Sequence, residues 1–469
     1  MGKDTGNMGK KKFVLPHIYV ILVIMIIVAY LATLIVPSGK FQTEEGPTGA
    51  EVLVPGTFEI IDKTYLGISE LVFSIPEGLI QASEIFFGIL MIGGMFAVLE
   101  KTGIIELGIS KLAHSFANRG VLIIPFLMIP MALITAFTGA VELVLVYVPV
   151  VIPLMLKLGY DRITGTAIAL ISTIAGYALA LTAPATVGIA QQLVELELYS
   201  GIGFRIISLA IVLTIGIVFL MRYAIKVKND PTKSLIYGDH EVDAEFEQDI
   251  TNVPKANKRQ IIASLVILFG VLLMIYGLIS WGWYFKELAG LYAAMGILSG
   301  LIVGLKLDEI AVAFNDGFKN ILLGAAVVGL ARAVSVILTD GQIIDTIVNG
   351  LGVITQIVPH SITPTIMMAV QGLLNFVIPS SSGQAMISMP IMGGLADITG
   401  VTRQVSVLAF QIGDGFSHIF YPTSGYFMAT LALSKIPYTK WLKFILPLMI
   451  TWYLVGAVLL IIAQLMNWN

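Results

Sequence analysis

Most ionisable and amide side chains in apolar stretches of this chain fall at a few places, and their spacing is chemical. The densest stretch, 375–428, opens Asn375-Phe-Val-Ile-Pro-Ser380-Ser381-Ser382-Gly383-Gln384. It continues into an apolar helix carrying Gln411, Asp414 and His418 and closes on Tyr421-Pro-Thr423-Ser424-Gly425. Arg332 lies inside Ile-Leu-Leu-Gly-Ala-Ala-Val-Val-Gly-Leu-Ala-Arg-Ala-Val-Ser, too central to reach water by snorkelling. Earlier in the chain, Thr138-Gly139-Ala-Val-Glu142 and Ala183-Pro184-Ala-Thr186 interrupt apolar runs in a similar way. A charge at a bilayer centre costs at least about 2.5–3.5 kcal/mol, and an unpartnered backbone group there costs several more, so such breaks persist where they line a polar cavity.

Each group has a functional and a packing reading. A guanidinium grips a carboxylate as a bidentate fork, so Arg332 is a candidate fixed cation for a substrate carboxylate; its alternative is a buried pair with Asp345 or Asp414. Gln411, Asp414 and His418 stand at i, i+3 and i+7 and share a helix face. Asp414, with Glu142, suits a coupling cation, an ammonium group or a proton, and histidine, the residue type at His418, has the ordinary pKa nearest neutrality. The alternative is a satisfied polar seam between helices. A helix broken at Gly413, Gly415 and Pro422 favours the functional reading. Short hydroxyls and freed backbone groups at Ser380–Gln384, Thr138-Gly139 and Thr186 suit a dehydrated ion or a carboxylate, and a helix starting at such a tip aims its positive end at an anion. Asp161, Arg162 and Arg403 follow glycines at segment ends and read as interfacial anchors.

Other chemistries find little support. The chain has no cysteine, and its five histidines are dispersed without metal-ligand spacing. No cofactor is expected beyond a Na+ or H+ as coupling ion. Ser424, His418 and Asp414 would compose an intramembrane hydrolase only on a spacing with no triad template. A channel is the remaining rival. No basic block is dense enough for nucleic acid.

The elements that must position these groups are membrane helices. Of 469 residues, 57% are hydrophobic and 12% charged, about half the charged share of soluble domains. At about 20 residues per crossing the length allows roughly a dozen spans and little else. Residues 1–36 hold Lys10, Lys11 and Lys12 and a first span, which orients the N-terminus to the cytoplasm. Residues 37–82 form an acidic outer loop and amphipathic lead-in. Apolar segments follow at 83–100, 103–118, 121–137, 163–187 and 203–225, with 138–158 too interrupted by Pro149 and Pro153 to be an ordinary span. Residues 226–259 read as a solvated cytoplasmic linker, and 260–304 as additional spans, of which 289–304 is short. Further apolar segments lie at 318–338, 343–358, 361–378, 403–428 and 442–466.

The halves are related. Gly159-Tyr-Asp-Arg162 precedes Gly400-Val-Thr-Arg403 by 241 residues, and Pro149 precedes Pro390 by the same interval. Ala183-Pro184-Ala-Thr186 pairs with Tyr421-Pro422-Thr-Ser424 at a slightly different offset. Such an ordered set marks a duplicated unit. Taking 138–158 and 379–398 as hairpins that leave by the face they enter, each unit, 83–225 and 318–466, crosses five times, the first beginning outside and the second inside, so the repeats are inverted. The expected fold is an all-α polytopic membrane protein of inverted repeats with two re-entrant hairpins and broken helices.

The second-half motifs, from Asn375 through Pro390-Ile-Met, Thr402-Arg-Gln, Phe410-Gln-Ile-Gly-Asp-Gly and Tyr421-Pro-Thr-Ser-Gly to Ile436-Pro-Tyr-Thr-Lys-Trp441, resemble the anaerobic four-carbon dicarboxylate carrier family and its YfcC-like branch. Glu142 and Gly159-Tyr-Asp161 extend the resemblance into the first half. It implies the ion transporter superfamily's two-hairpin architecture, a homodimer in the bacterial inner membrane, and secondary transport of small carboxylate-bearing metabolites. Four-carbon dicarboxylates and short-chain acids are the first substrates to expect; an arginine/ornithine-type exchanger is the alternative. The expected site is asymmetric, with most side chains coming from the second repeat.

Overall fold

The structure is a computed structural model that describes residues 18–45, 51–116, 120–246, 256–283, 285–354 and 362–468. It opens with α1 (Ile18–Ile35), which leaves Val20, Ile24, Val28 and Leu31 exposed as a lipid-facing stripe and stops before Pro37. Two short antiparallel ribbons follow, β1 (Gly39–Lys40) with β4 (Glu59–Ile60) and β2 (Thr43–Glu45) with β3 (Glu51–Leu53). The first rests on the 341–346 turn, where Ser38 Oγ donates to the Gly341 carbonyl at 3.0 Å and the Phe41 amide to Asp345 Oδ2 at 3.0 Å. The amphipathic α2 (Ile68–Gln81) then leads in.

The first half runs α3 (Ser83–Lys101), α4 (Ile104–Phe116), α5 (Ile123–Thr138), α6 (Val144–Lys157), α7 (Arg162–Ala178), a widened turn at Pro184–Gly188 entering α8 (Ile189–Leu193), and α9 (Ile202–Asn229). The connection carries α10 (His240–Ala244), α11 (Lys258–Ser280) and α12 (Phe285–Val303). The same succession then returns as α13 (Leu307–Asp340), α14 (Ile344–Ile354), α15 (Thr363–Val377), α16 (Ser381–Thr399), α17 (Arg403–Ser417), α18 (Gly425–Leu433) and α19 (Tyr438–Leu465). Among the described residues six helices are long and apolar enough to cross a membrane, and α13, bent by 40°, makes a seventh. This is an all-α polytopic membrane fold. Exposed Ile261, Leu265, Leu268, Phe269 and Leu272 on α11 show how an apolar helix meets lipid on one side.

Small residues let the central helices approach closely. All of α7, rich in Gly, Ala, Ser and Thr, is buried, as is α17 from Gln404 onward. A Cβ on Gly176 would lie 2.1 Å from the Ala132 carbonyl, and one on Gly413 would lie 2.2 Å from the Met368 carbonyl. These contacts also give the chain direction. Ala132 faces Gly176, and Ala136 accepts from the Leu181 amide at 2.7 Å, so α5 runs in the same sense as α7. The short 158–161 connection returns α6 the opposite way, and Gly165 packs on Ile152. The chain therefore reverses between α5 and α6, and the Met368–Gly413 and Asn375–His418 contacts place the same reversal between α15 and α16.

Each reversal tip lies beside a break in the helix it flanks. Helix α7 stops at Ala178 and resumes at Pro184; α17 stops at Ser417 and resumes at Gly425, with Pro422 supplying no amide to the gap. The start of α7 lies against the end of α18, since Arg162 Nη1 donates to the Ser434 and Lys435 carbonyls at 2.8 Å each. The start of α17 lies against the end of α8, since Arg403 Nη1 donates to the Val194 carbonyl at 3.0 Å. The two broken helices therefore run in opposite directions.

Several expectations need revision. Residues 138–158 and 379–398 are not self-contained hairpins; each is essentially one helix, α6 or α16, paired with the helix before it, because Pro149, Pro153 and Pro390 sit inside continuous helix. The runs 163–187 and 403–428 are each two pieces. Helix α4, with 13 residues, is about 20 Å long and too short for a roughly 30 Å hydrocarbon core; the described part of 343–358 is shorter still. In contrast, α12 has 19 residues and suffices to cross. Gly413 and Gly415 do not break a helix; they lie inside α17 and admit Met368 and Ala178 at close range. Finally, 230–246 keeps an exposed face, with Lys233, Tyr237 and Glu245 in the open, but also packs on the helices through Ile236, only 4% exposed.

Candidate functional site

Both tips and both breaks converge on one cavity of about 400 Å³. The first half supplies Thr138, Gly139 and Glu142 from its tip and Pro184, Ala185 and Thr186 from its break. The second supplies Ser380, Ser381 and Ser382 from its tip and His418, Thr423 and Gly425 from its break. Arg332 enters from α13. Eleven residues expected from type and spacing alone, the ones just named without Pro184 and Ala185, therefore line one space.

Local rules explain how these side chains are held. Ser380 caps α16, accepting from the Gly383 amide at 3.4 Å, so Ser381 and Ser382 occupy the first turn, where amides lack intrahelical partners. Gly139 takes a left-handed conformation (φ 74°) and ends α5, with Ala183 in contact where a Cβ would stand. These terminations put amides and hydroxyls at the cavity wall in both halves.

Beneath the second tip lies a buried polar cluster. Asn375 Nδ2 donates to Asp414 Oδ1 at 2.6 Å and stands 3.0 Å from His418 Nε2. Ser381 Oγ is 3.3 Å from the same ring nitrogen, Ser424 Oγ is 3.2 Å from Nδ1, and Asp414 Oδ1 is 3.4 Å from Nε2. Tyr177 of α7 donates its hydroxyl to Ser381, joining the two halves. Asp414 and Asn375 thus sit one layer behind the cavity, with His418 and Ser381 between them and the open space. Four buried atoms here, Asn375 Oδ1, Thr186 Oγ1, Thr423 Oγ1 and the Tyr426 hydroxyl, have no partner among the described residues. They are polar groups to which a ligand or ion would bring partners.

Arg332 does not form either of the ion pairs considered for it. Its Nε donates to Gln81 Oε1 at 3.1 Å, Asp345 is engaged by the Phe41 amide and Asp414 by Asn375. Among the described residues no carboxylate pairs with Arg332 and no basic group with Glu142.

Two expected residues lie elsewhere. Gln411 accepts from Arg205 of α9, because α17 is surrounded and its polar positions meet different neighbours. Gln384 turns to Gln371, donating to its carbonyl at 2.9 Å and its Oε1 at 2.7 Å, and secures the hairpin limbs to each other. Gly383 serves the cap. Conversely, Gln81, Glu84, Tyr177 and Tyr426 line the cavity although sequence reasoning passed over them. Gln81 and Glu84 at i, i+3 before an apolar run were the available signal; the tyrosines gave none.

A profile of the C4-dicarboxylate anaerobic carriers matches residues 15–465. The chain belongs to the C4-dicarboxylate anaerobic carrier family. It is 31% identical, over the full length of both chains, to the putative basic amino acid antiporter YfcC of Escherichia coli K12. It is 30% identical to an uncharacterised protein of Haemophilus influenzae, over 89% of this chain and 82% of that one. Among solved structures, the YdaH transporter of Alcanivorax borkumensis aligns over 97% of this chain and 99% of its own at 16% identity and a TM-score of 0.44. MtrF of Neisseria gonorrhoeae aligns over 98% and 96% at 17% identity and a TM-score of 0.42. A carrier of this family is a secondary transporter and not an enzyme. Ser424, His418 and Asp414 do touch in the order of a hydrolytic triad, but Ser424 is 1% exposed and lies behind the cavity wall.

Proposed function

We propose that this carrier moves a small molecule bearing a carboxylate and, apart from it, an amine or guanidinium, by alternating access through the bacterial inner membrane with its N-terminus in the cytoplasm. One observation carries the reading: a guanidinium, Arg332, and a carboxylate, Glu142, neither in an ion pair among the described residues, line the same cavity. Arg332 takes the substrate carboxylate and Glu142 the cationic end. The name of the Escherichia coli relative, a putative basic amino acid antiporter, agrees with that pairing of charges.

A four-carbon dicarboxylate is the second reading, favoured by Ser381–Ser382 and Gly425 at the starts of α16 and α18 on the cavity wall, where orphan amides suit a second carboxylate. It requires Glu142 to carry a proton. In both readings Asp414 and His418 hold the coupling cation, a proton or sodium ion. Oppositely directed broken helices and tips that turn back support inverted repeats with re-entrant hairpins.

Reconstitution into proteoliposomes tests this. Labelled arginine, ornithine, succinate and a short-chain acid are offered under separately imposed proton and sodium gradients, with and without internal counter-substrate. Saturable uptake of the basic amino acids supports the first reading, and uptake of succinate alone replaces it with the second. Non-saturable flux without counter-transport would make the protein a channel.

A further inference from the structure

Arg162 and Arg403 open α7 and α17, and each crosses to the other half. Arg162 donates to the Ser434 and Lys435 carbonyls at the end of α18, Arg403 to the Val194 carbonyl at the end of α8. The residues receiving these bonds match as well: Glu195 (φ 57°) and Lys435 (φ 49°) are both non-glycine residues in the left-handed region, one at the end of each short helix. The clamps are therefore equivalent in position.

Their carboxylates are not. Arg403 takes Asp397 of α16 and Glu195, just past α8, at 2.8 Å each, both from the repeats themselves, and remains about a third exposed. Arg162 takes Asp243 at 2.5 Å and Asp239 at 3.3 Å, both from the connection between the halves, and its side chain is fully buried. The connection is fastened further: Ser234 Oγ donates to Asp161 Oδ2 at 2.6 Å, joining the Tyr223 hydroxyl of α9 on the same oxygen, Glu245 pairs with Lys435, and the Phe246 ring lies 5.9 Å from the Arg162 guanidinium. A buried guanidinium without carboxylates is costly, so the inner clamp is complete only with the strap in place.

We propose that residues 230–246 are a permanent brace: they lock the inner ends of the two broken helices together and travel with them as one body throughout the transport cycle. The brace is thus part of the moving unit and not a latch that must open. It rests on the transport reading above.

The chain has no cysteine, so Glu245→Cys with Lys435→Cys can be bridged by a short bis-maleimide. The bridged protein is expected to form in high yield and to keep its uptake. Separately, Asp239→Asn with Asp243→Asn is expected to speed hydrogen exchange in 230–246 and 431–438 and to lower uptake at least tenfold. Loss of uptake on bridging would overturn the brace in favour of a latch. Failure to bridge, or a neutralised strap that exchanges and transports like the parent, would overturn docking itself. If the neutralised variant does not fold, the bridged one still decides. A parent that transports none of the solutes would sink the transport reading alone, while bridging yield and exchange still judge the brace.

Discussion

The Arg332 guanidinium leans on the Gln81 side-chain carbonyl at 3.1 Å, a neutral partner where a carboxylate was available elsewhere in the fold. Arg332 is thereby oriented without being neutralised, as a receptor for an anion requires. Charge-assisted hydrogen bonds contribute roughly 1.5–3 kcal/mol. Arg332→Gln is therefore expected to raise the apparent KM for uptake at least tenfold, about 1.4 kcal/mol, in correctly folded protein. Arg332→Lys should not restore it, because an ammonium cannot present the planar fork. Gln81→Ala should have a smaller effect of the same sign. An unchanged KM in Arg332→Gln would remove the carboxylate from this position.

Glu142 separates the two substrate readings. With Glu142→Gln, uptake of arginine or ornithine should fall at least tenfold while competition by a simple carboxylate persists. Should succinate uptake and its gradient dependence instead survive Glu142→Gln unchanged, Glu142 is the protonated group that the dicarboxylate reading demands.

Asp414 offers a charge test at nearly constant shape. Asp414→Asn removes the anion that Asn375 and His418 face and is expected to abolish gradient-driven uptake while the protein stays monodisperse in detergent. Asp414→Ala leaves Asn375 Nδ2 without its carboxylate acceptor and should also lower stability, by about 1–3 kcal/mol. Normal gradient-driven uptake by Asp414→Asn would reduce the cluster to a polar seam.

The glycines of α17 predict stability rather than transport. Alanine at Gly413 or Gly415 would place a Cβ 2.2 Å from the Met368 carbonyl or 2.5 Å from Ala178 Cα. Overpacking of this kind costs about 1–3 kcal/mol, and each variant should melt several degrees below the parent. Gly394→Ala, where nothing lies within 4 Å, should be neutral or slightly stabilising.

The cavity was largely legible because polar and helix-breaking residues stand out against apolar sequence. Ser380–Ser382, Thr138, Glu142 and Arg332 declared themselves by the cost of leaving them in hydrocarbon. The duplicated order of elements was readable too, from Gly159–Arg162 and Gly400–Arg403. Glycine misled, since at 413 and 415 it serves close packing inside a continuous helix, and composition does not distinguish that from a break. Helix faces misled in the same way: Gln411 shares a face with Asp414 in a heptad sense, yet a fully surrounded helix meets several neighbours across that arc, and Arg205 reached Gln411 first. The role of 230–246 was hidden because Asp239 and Asp243 look like ordinary solvated charges until the fold brings Arg162 to them.

The inequality of the two clamps bears on how the molecule could be taken apart. Among the described residues, the bonds of the Arg162 clamp are made by residues up to Phe246 on one side and by Ser434 and Lys435 on the other. Two polypeptides made by cutting after Phe246 would each keep a full set of contacts for reassembly. A cut after Asn229 would assign the acidic strap to the wrong fragment, and the first fragment would carry a cation needing carboxylates held by its partner.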